Sequence, residues 1–334
     1  MIEALSGDPE IASIVGVARR VPELRPAKVE WRRADIGDAD LVSLFEGADR
    51  VVHLAWLIQP SRDEPLLRAV NVDGSRRVFD AVAEAGVPAV VYASSVGAYS
   101  PGAKDVAVDE SWPTEGVRSS FYARHKAQVE RLLDEFEAEH PGIRSVRLRP
   151  GLIFRRSAAT GIRRLFLGPW FPGGLLRPEL IPFVPSLDRL RFQAVHSEDV
   201  AEAYRLAIHA DVHGAFNIAA DPVIDSELLA EVFEARPVPM TSRALRYGAG
   251  LTWRLRLQPS PPGWIDLAVG VPIMDIGRAR AELRWTPRVD AVDALKELVA
   301  GLREGAGYPT PPLARETSGP LRIREIASGL GARA

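Results

Sequence analysis

The chain has 334 residues, 46% hydrophobic and 26% charged, with a formal net charge of −2. This is the composition of a soluble globular protein with interspersed charges, and no basic stripe marks a nucleic-acid surface. Cysteine is absent, which excludes disulfides, thiolate nucleophiles and cysteine zinc sites and fits a reducing, cytoplasmic setting.

Taken in chain order, Met1–Arg20 reads as the tail of a helix, a turn at Ser6-Gly7-Asp8-Pro9 and a strand over Ser13–Arg19. A second strand falls in AKVEWRRADI, and DADLVSLFEG reads as a short helix capped at Asp38. Asp49–Trp56 (DRVVHLAW) is a nearly continuous apolar run, as expected of a strand buried on both faces. PLLRAVNVDGSRRVFDAVAEAG has helical spacing and ends at Gly86, and PAVVYASS is another buried strand. FYARHKAQVERLLDEFEAEHPG is a long amphipathic helix stopped by Pro141-Gly142, followed by the strand IRSVRLRPG. Strand–helix alternation of this kind predicts a parallel, doubly wound sheet with helices on both faces, a Rossmann-like α/β fold.

After Gly151 the rhythm breaks. Proline and glycine crowd Gly168–Pro185, then come a helix at Glu198–His209, a strand in GAFNIA and two further helices. The expected organisation is a dinucleotide-binding domain over 1–150, a substrate lobe over 151–312 with elements returning to the core, and a surface tail over 313–334. No signal peptide opens the chain. The most apolar stretch, Leu165–Leu176, is too short and broken to span a bilayer.

Tyr122 and Lys126 are four residues apart, so they share one helix face. An ammonium beside a phenol favours phenolate and makes a usable acid/base. The pair alone reads rather as two surface residues of an amphipathic helix. Its context is more specific. Ser94 and Ser95 sit at the carboxyl end of a predicted core strand, the edge where open α/β sheets bind ligands. Asn71 and Gly74 open a helix after another such strand.

In this order and spacing, VVHLAW, NVDGSRRVFDA, VVYASSVGAYS, YARHK, RLRPGLIF and FQAVHSEDVAEAY resemble the extended short-chain dehydrogenase/reductase family, in its NAD-dependent epimerase/dehydratase group. The resemblance spans about Val51–Tyr204 and is weaker towards the end of the chain. It implies that Tyr122 exchanges a proton with a substrate hydroxyl or carbonyl. Lys126 would hold the nicotinamide ribose and lower the Tyr122 pKa, and Ser95, with Ser94 as fallback, would bond the substrate oxygen. Leu54 and Ala55 would flank the cofactor, and Pro150 and Ile153 would line its nicotinamide end. Asp35 would lie near the adenine or else cap the following turn, and Asn71 would touch the cofactor or else cap its helix. The expected reaction is NAD(P)-dependent epimerase/dehydratase chemistry on a hydroxyl or carbonyl carbon of a sugar or nucleotide-sugar-like substrate. A simple carbonyl or hydroxysteroid-type reductase is the alternative. A cofactor-deficient binding protein or inactive fragment is the rival from another class, and a homodimer is the expected assembly.

A dinucleotide fold usually ends its second strand on an acid that accepts from the ribose 2′-hydroxyl. Here the region is Ala18-Arg19-Arg20, and two arginines suit a 2′-phosphate, favouring NADP over NAD. The first strand and glycine-rich loop of such a fold are expected before Met1. Weak or no cofactor binding is the expectation for the chain as written, because that loop holds the pyrophosphate. The strands at Ser13–Arg19 and Arg50–Trp56 would then pair with each other or leave backbone groups open. His209 and His213 form an H-x-x-x-H pair without a following glutamate, so no metal is expected, and His196 is expected to pack. Trp170 and Phe171 would form a lid, a lobe packing or a subunit contact.

Overall fold

A computed structural model describes residues 1–59, 61–168, 181–310 and 313–314. Trp170, Phe171 and all but the first two residues of the expected tail lie outside the described residues. The first half runs α1 (Ile2–Ser6), β1 (Ile14–Ala18), β2 (Val29–Arg33), α2 (Leu41–Phe45), β3 (Val51–His53), α3 (Glu64–Arg68), α4 (Gly74–Glu84), β4 (Ala89–Ala93), β5 (Ala107–Val108) and α5 (Phe121–Glu139). β6 (Arg144–Pro150), β7 (Leu152–Phe154), α6 (Ala159–Ile162), β8 (Phe183–Ser186), β9 (Arg191–His196), α7 (Ser197–His209), β10 (Gly214–Ile218) and β11 (Ala220–Asp225) follow. The chain continues through α8 (Ser226–Val232), β12 (Arg236–Pro239), α9 (Ser242–Arg254), α10 (Gly263–Gly270), β13 (Ile273–Met274), α11 (Gly277–Glu282) and α12 (Ala291–Glu304).

The central sheet is parallel, in the order β10-β6-β4-β3. Alternation along β4 explains why it is covered twice. Val90 and Tyr92 point to one face, where Val78, Phe79 and Val82 of α4 and Val129, Leu133 and Phe136 of α5 pack. Val91 points to the other, against Val200, Ala203, Tyr204 and Ala207 of α7 and the fully buried Trp285. Period-two side-chain direction, with apolar residues at both phases, therefore produces the doubly wound arrangement.

β1 and β2 form their own parallel pair, and β1 is not hydrogen-bonded to β3. Of the two outcomes expected for these segments, pairing with each other does not occur. The helix expected to be capped at Asp38 is capped by Asp40, whose carboxylate accepts from the Ser43 N–H at 3.2 Å. Asp38 belongs instead to the turn that Asp35 organises.

Gly151 is where the chain leaves the central sheet. A Cβ there would lie 2.5 Å from the Gln193 carbonyl oxygen, so only glycine lets β6 pass into β7 this close to β9. β7, β9 and β11 make a second sheet, with β9 and β11 antiparallel. α12 covers it through Ala291, Ala294, Leu295 and Leu298.

Candidate active site

The site is built at the carboxyl end of β4 and the first turns of α5. Ser95 follows β4 in extended conformation and caps a single 3₁₀ turn, its hydroxyl accepting from the Gly97 N–H at 3.0 Å. Ser120 caps α5, accepting from Ala123 N–H at 3.4 Å. α5 is thereby started one residue before Phe121, which sends Tyr122 back over the β4 loop. The Tyr122 ring lies against Gly97, where a Cβ would come within 2.9 Å of it. Burial pushes the Tyr122 phenol up, and the Ser95 hydroxyl beside it offsets part of that rise.

Lys126 is buried one turn further along α5. Its Nζ donates to the Ala93 carbonyl at 2.6 Å and stands 3.5 Å from the centroid of the Trp56 ring, a cation–π contact. Burial pulls its pKa down to about 7, opposed by the field of Glu130. The ammonium is 5.9 Å from the Tyr122 ring centroid and turned towards Trp56 and Ala93, and burial is the largest influence on the phenol.

Ser94 takes a different part from Ser95. Its hydroxyl donates to the Glu130 carboxylate, which also receives Arg147 at 3.0 Å and Arg149 at 2.7 Å. All four side chains are buried. Glu130 is held down to about 2: burial raises it, and the two guanidiniums and Ser94 more than reverse that. Arg149 continues to Tyr99 Oη at 2.9 Å, and Tyr99 donates to Asn217 at 2.7 Å. This network ties β4, α5, β6 and β10 together directly beneath the Ser95 turn.

Asn71 neither caps a helix nor points outward. Its side-chain oxygen accepts from the Leu57 N–H and its amide donates to the Leu57 carbonyl, both at 2.7 Å. It lies in a π-turn (Ala69–Asp73) between α3 and α4, and it fixes the loop after β3 that carries Leu54, Ala55 and Trp56. Below it, Ser75 Oγ donates to the Asn71 carbonyl at 2.6 Å and accepts from His53 Nε2 at 2.9 Å. That pattern assigns the Nε2–H tautomer. Burial, then Lys126, lowers the His53 pKa to about 3, so His53 is a neutral strut.

The remaining expected cofactor residues are dispersed along the edges. Leu54 and Ala55 are exposed after β3, Ile153 is exposed on β7, and Pro150 is buried at the end of β6. Asp35 organises its own turn, accepting from Gly37 N–H at 3.0 Å, and lies 3.7 Å from Arg19 Nε. Arg20 is exposed beyond β1. The nicotinamide-end set of Ser95, Tyr122 and Lys126 fits the donor chemistry of a dinucleotide's reacting end. Lys126, a buried cation bonded to a carbonyl and a ring, could turn its charge to ribose hydroxyls. No glycine loop at a helix start is present among the described residues to cradle a pyrophosphate.

His209 and His213 share no cluster of three or more ligand-type side chains among the described residues. His209 instead lies between Asp8, 3.0 Å from Nε2, and Glu10, 3.2 Å from Nδ1. Their ligand-type atoms lie within 4.8 Å of one another. Arg205 already pairs with Asp8 at 3.0 Å, so one of the two carboxylates is met by a guanidinium of the protein. His196 caps α7 and is buried, as expected of a packing residue.

Sequence reading missed the aromatic wall around Tyr122. Trp264 of α10 has its ring centroid 5.1 Å from that of Tyr122, Trp56 stands edge-on at 5.8 Å, and Phe166 meets Trp264 at 4.9 Å. Trp264 is seated by Gly263, whose backbone touches the Ser119 carbonyl too closely for any Cβ. The signal in the sequence was only isolated tryptophans.

A parallel doubly wound sheet with polar side chains gathered at the carboxyl ends of its strands is the architecture of dinucleotide-binding α/β folds. The sequence model of the NAD dependent epimerase/dehydratase family matches residues 1–219, and the chain belongs to that family. An uncharacterized protein of Mycobacterium tuberculosis is 27% identical over 300 residues, covering 88% of this chain and 28% of its own length. The chain thus spans less than a third of that relative. A decarboxylating sterol-4-alpha-carboxylate 3-dehydrogenase of Saccharomyces cerevisiae is 27% identical over 288 residues, covering 77% of this chain and 78% of its own. Among solved structures, a UDP-glucose 4-epimerase of Thermotoga maritima with UDP-glucose aligns with TM-score 0.65 at 20% identity, covering 91% of this chain and 96% of that one. At that identity the likeness shows the fold.

Proposed function

We propose that the chain acts as an NAD(P)-dependent oxidoreductase of the epimerase/dehydratase type, working on a carbon that bears a hydroxyl or carbonyl. The gathering of Ser95 and Tyr122 around Gly97 at the β4 edge, with Lys126 buried one turn along, carries this reading. The nicotinamide, when bound, supplies or accepts the hydride. Ser95 orients the substrate oxygen. Tyr122 takes the proton from a hydroxyl being oxidised or returns it to a carbonyl being reduced. Lys126 holds the ribose, and Ser94 has no role in contact with substrate, because Glu130 holds it. Of the two arginines favouring NADP, Arg19 faces Asp35, so Arg20 alone carries that preference.

A nucleotide-sugar substrate is supported by structural neighbours that bind UDP-sugars. A second reading, an apolar hydroxyl or carbonyl compound of the hydroxysteroid kind, is favoured by the wall of Trp56, Trp264 and Phe166 around Tyr122. A panel of UDP-sugars and 3β-hydroxysterols, each with NAD and NADP, tests the proposal through absorbance of the reduced cofactor and product chromatography. Turnover of one class is expected. Absence of NAD(P) binding in titration would bear out the weak or absent binding expected from the sequence, contradict the enzyme reading and leave a binding protein.

A further inference from the structure

We propose that α9 and the turn after it form a docking face for an anionic lipid surface. α9 buries none of its residues. Its inner side carries Leu245, Ala249 and Trp253, and its outer side presents Tyr247 and Leu251, which are 76% and 47% exposed. Leu255 and Leu257, in the turn that follows, are 60% and 52% exposed. Large apolar side chains singly at a surface are ordinary; four in one turn-and-helix segment are not.

The charge of this segment identifies its partner. Residues 235–265 contain five arginines, Arg236, Arg243, Arg246, Arg254 and Arg256, and no acid, in a chain whose formal net charge is −2. Arg246 is neutralised by Asp266 at 2.9 Å. Among the described residues, Arg243, Arg254 and Arg256 form no ion pair, and Arg62, stacked 4.2 Å above the Trp253 ring, adds a further cation. At helical spacing Arg243 and Arg254 flank Tyr247 and Leu251 on the outer face. An amphipathic helix with an apolar face bordered by arginines lies in the plane of a bilayer interface, leucines inward and guanidiniums on the headgroup phosphates. A second copy on a two-fold axis would set the same arginines against each other, which disfavours that occupant. The sequence reading expected no membrane partner because it looked for spanning segments. Among the described residues no helix is long and apolar enough to cross a membrane, and docking requires none. α10, which carries Trp264 beside Tyr122, packs on α9, so the docked face adjoins the site.

The test is co-sedimentation of the full chain with vesicles of equal parts phosphatidylglycerol and phosphatidylcholine, and with phosphatidylcholine alone. Binding to the first, weakened by salt, and little to the second is expected. Arg243→Gln with Arg254→Gln, and separately Leu251→Ser with Leu255→Ser, should each weaken binding about tenfold or more. All four positions are exposed, so circular dichroism and melting should be unchanged. Equal partition of wild type and both variants would overturn the proposal. So would a concentration-dependent dimer that Leu251→Ser dissolves while anionic vesicles remain unbound.

Discussion

Lys126 and Glu130 lie one turn apart on the same face of α5, both buried, and their surroundings are opposite. Glu130 is met by two guanidiniums and a serine hydroxyl, so its charge is matched and its geometry fixed. Lys126 is met by one carbonyl, the Tyr92 hydroxyl and two aromatic rings, with no carboxylate in contact among the described residues. A matched buried charge makes structure: it locks β4 to β6 under the Ser95 turn. An unmatched one costs stability, the trade that functional sites commonly make.

The comparison breaks most readily at Glu130. Glu130→Gln should destabilise the fold by about 3–5 kcal/mol, because Arg149 is left buried without its carboxylate. Denaturant titration checks it. Since folding lowers the Glu130 pKa from 4.5 to about 2, its contribution is complete above 4.5 and is lost as the pH falls towards 2. The variant should therefore show a flatter stability curve over that acid range.

Lys126 should behave the other way. Lys126→Met removes a desolvated cation and should raise stability at neutral pH by on the order of 1 kcal/mol, while weakening NADH binding in fluorescence titration. Folding lowers this pKa from 10.5 to about 7, so the unfolded chain binds the extra proton between those values. Wild-type stability should rise across that interval, and the variant should lack this component. A destabilised variant with unchanged NADH affinity would erase the contrast.

What the sequence displayed, and what it hid, follows the same division. Ser95, Tyr122 and Lys126 were legible because their residue types and spacing are set by chemistry along one strand and one helix. Glu130 was not, since it sits among the acids of a helix that looks solvated. Only the register of β6 brings Arg147 and Arg149 onto it. Asn71 looked like a cap because local sequence cannot reveal a π-turn or a partner loop at Leu57. The orientation of Lys126 was hidden for the same reason: Trp56 reaches it from another strand's loop. The parallel, doubly wound sheet was readable from alternation, but the separation of β1–β2 from β3 depends on pairing that pattern alone does not specify.

The most direct test of the central claim is the turnover of Tyr122→Phe with whichever substrate the panel identifies, read as the reduced-cofactor absorbance. The account predicts a loss of about a hundredfold or more in kcat with cofactor affinity unchanged, the share of a positioned proton donor. Activity that survives the substitution would contradict it.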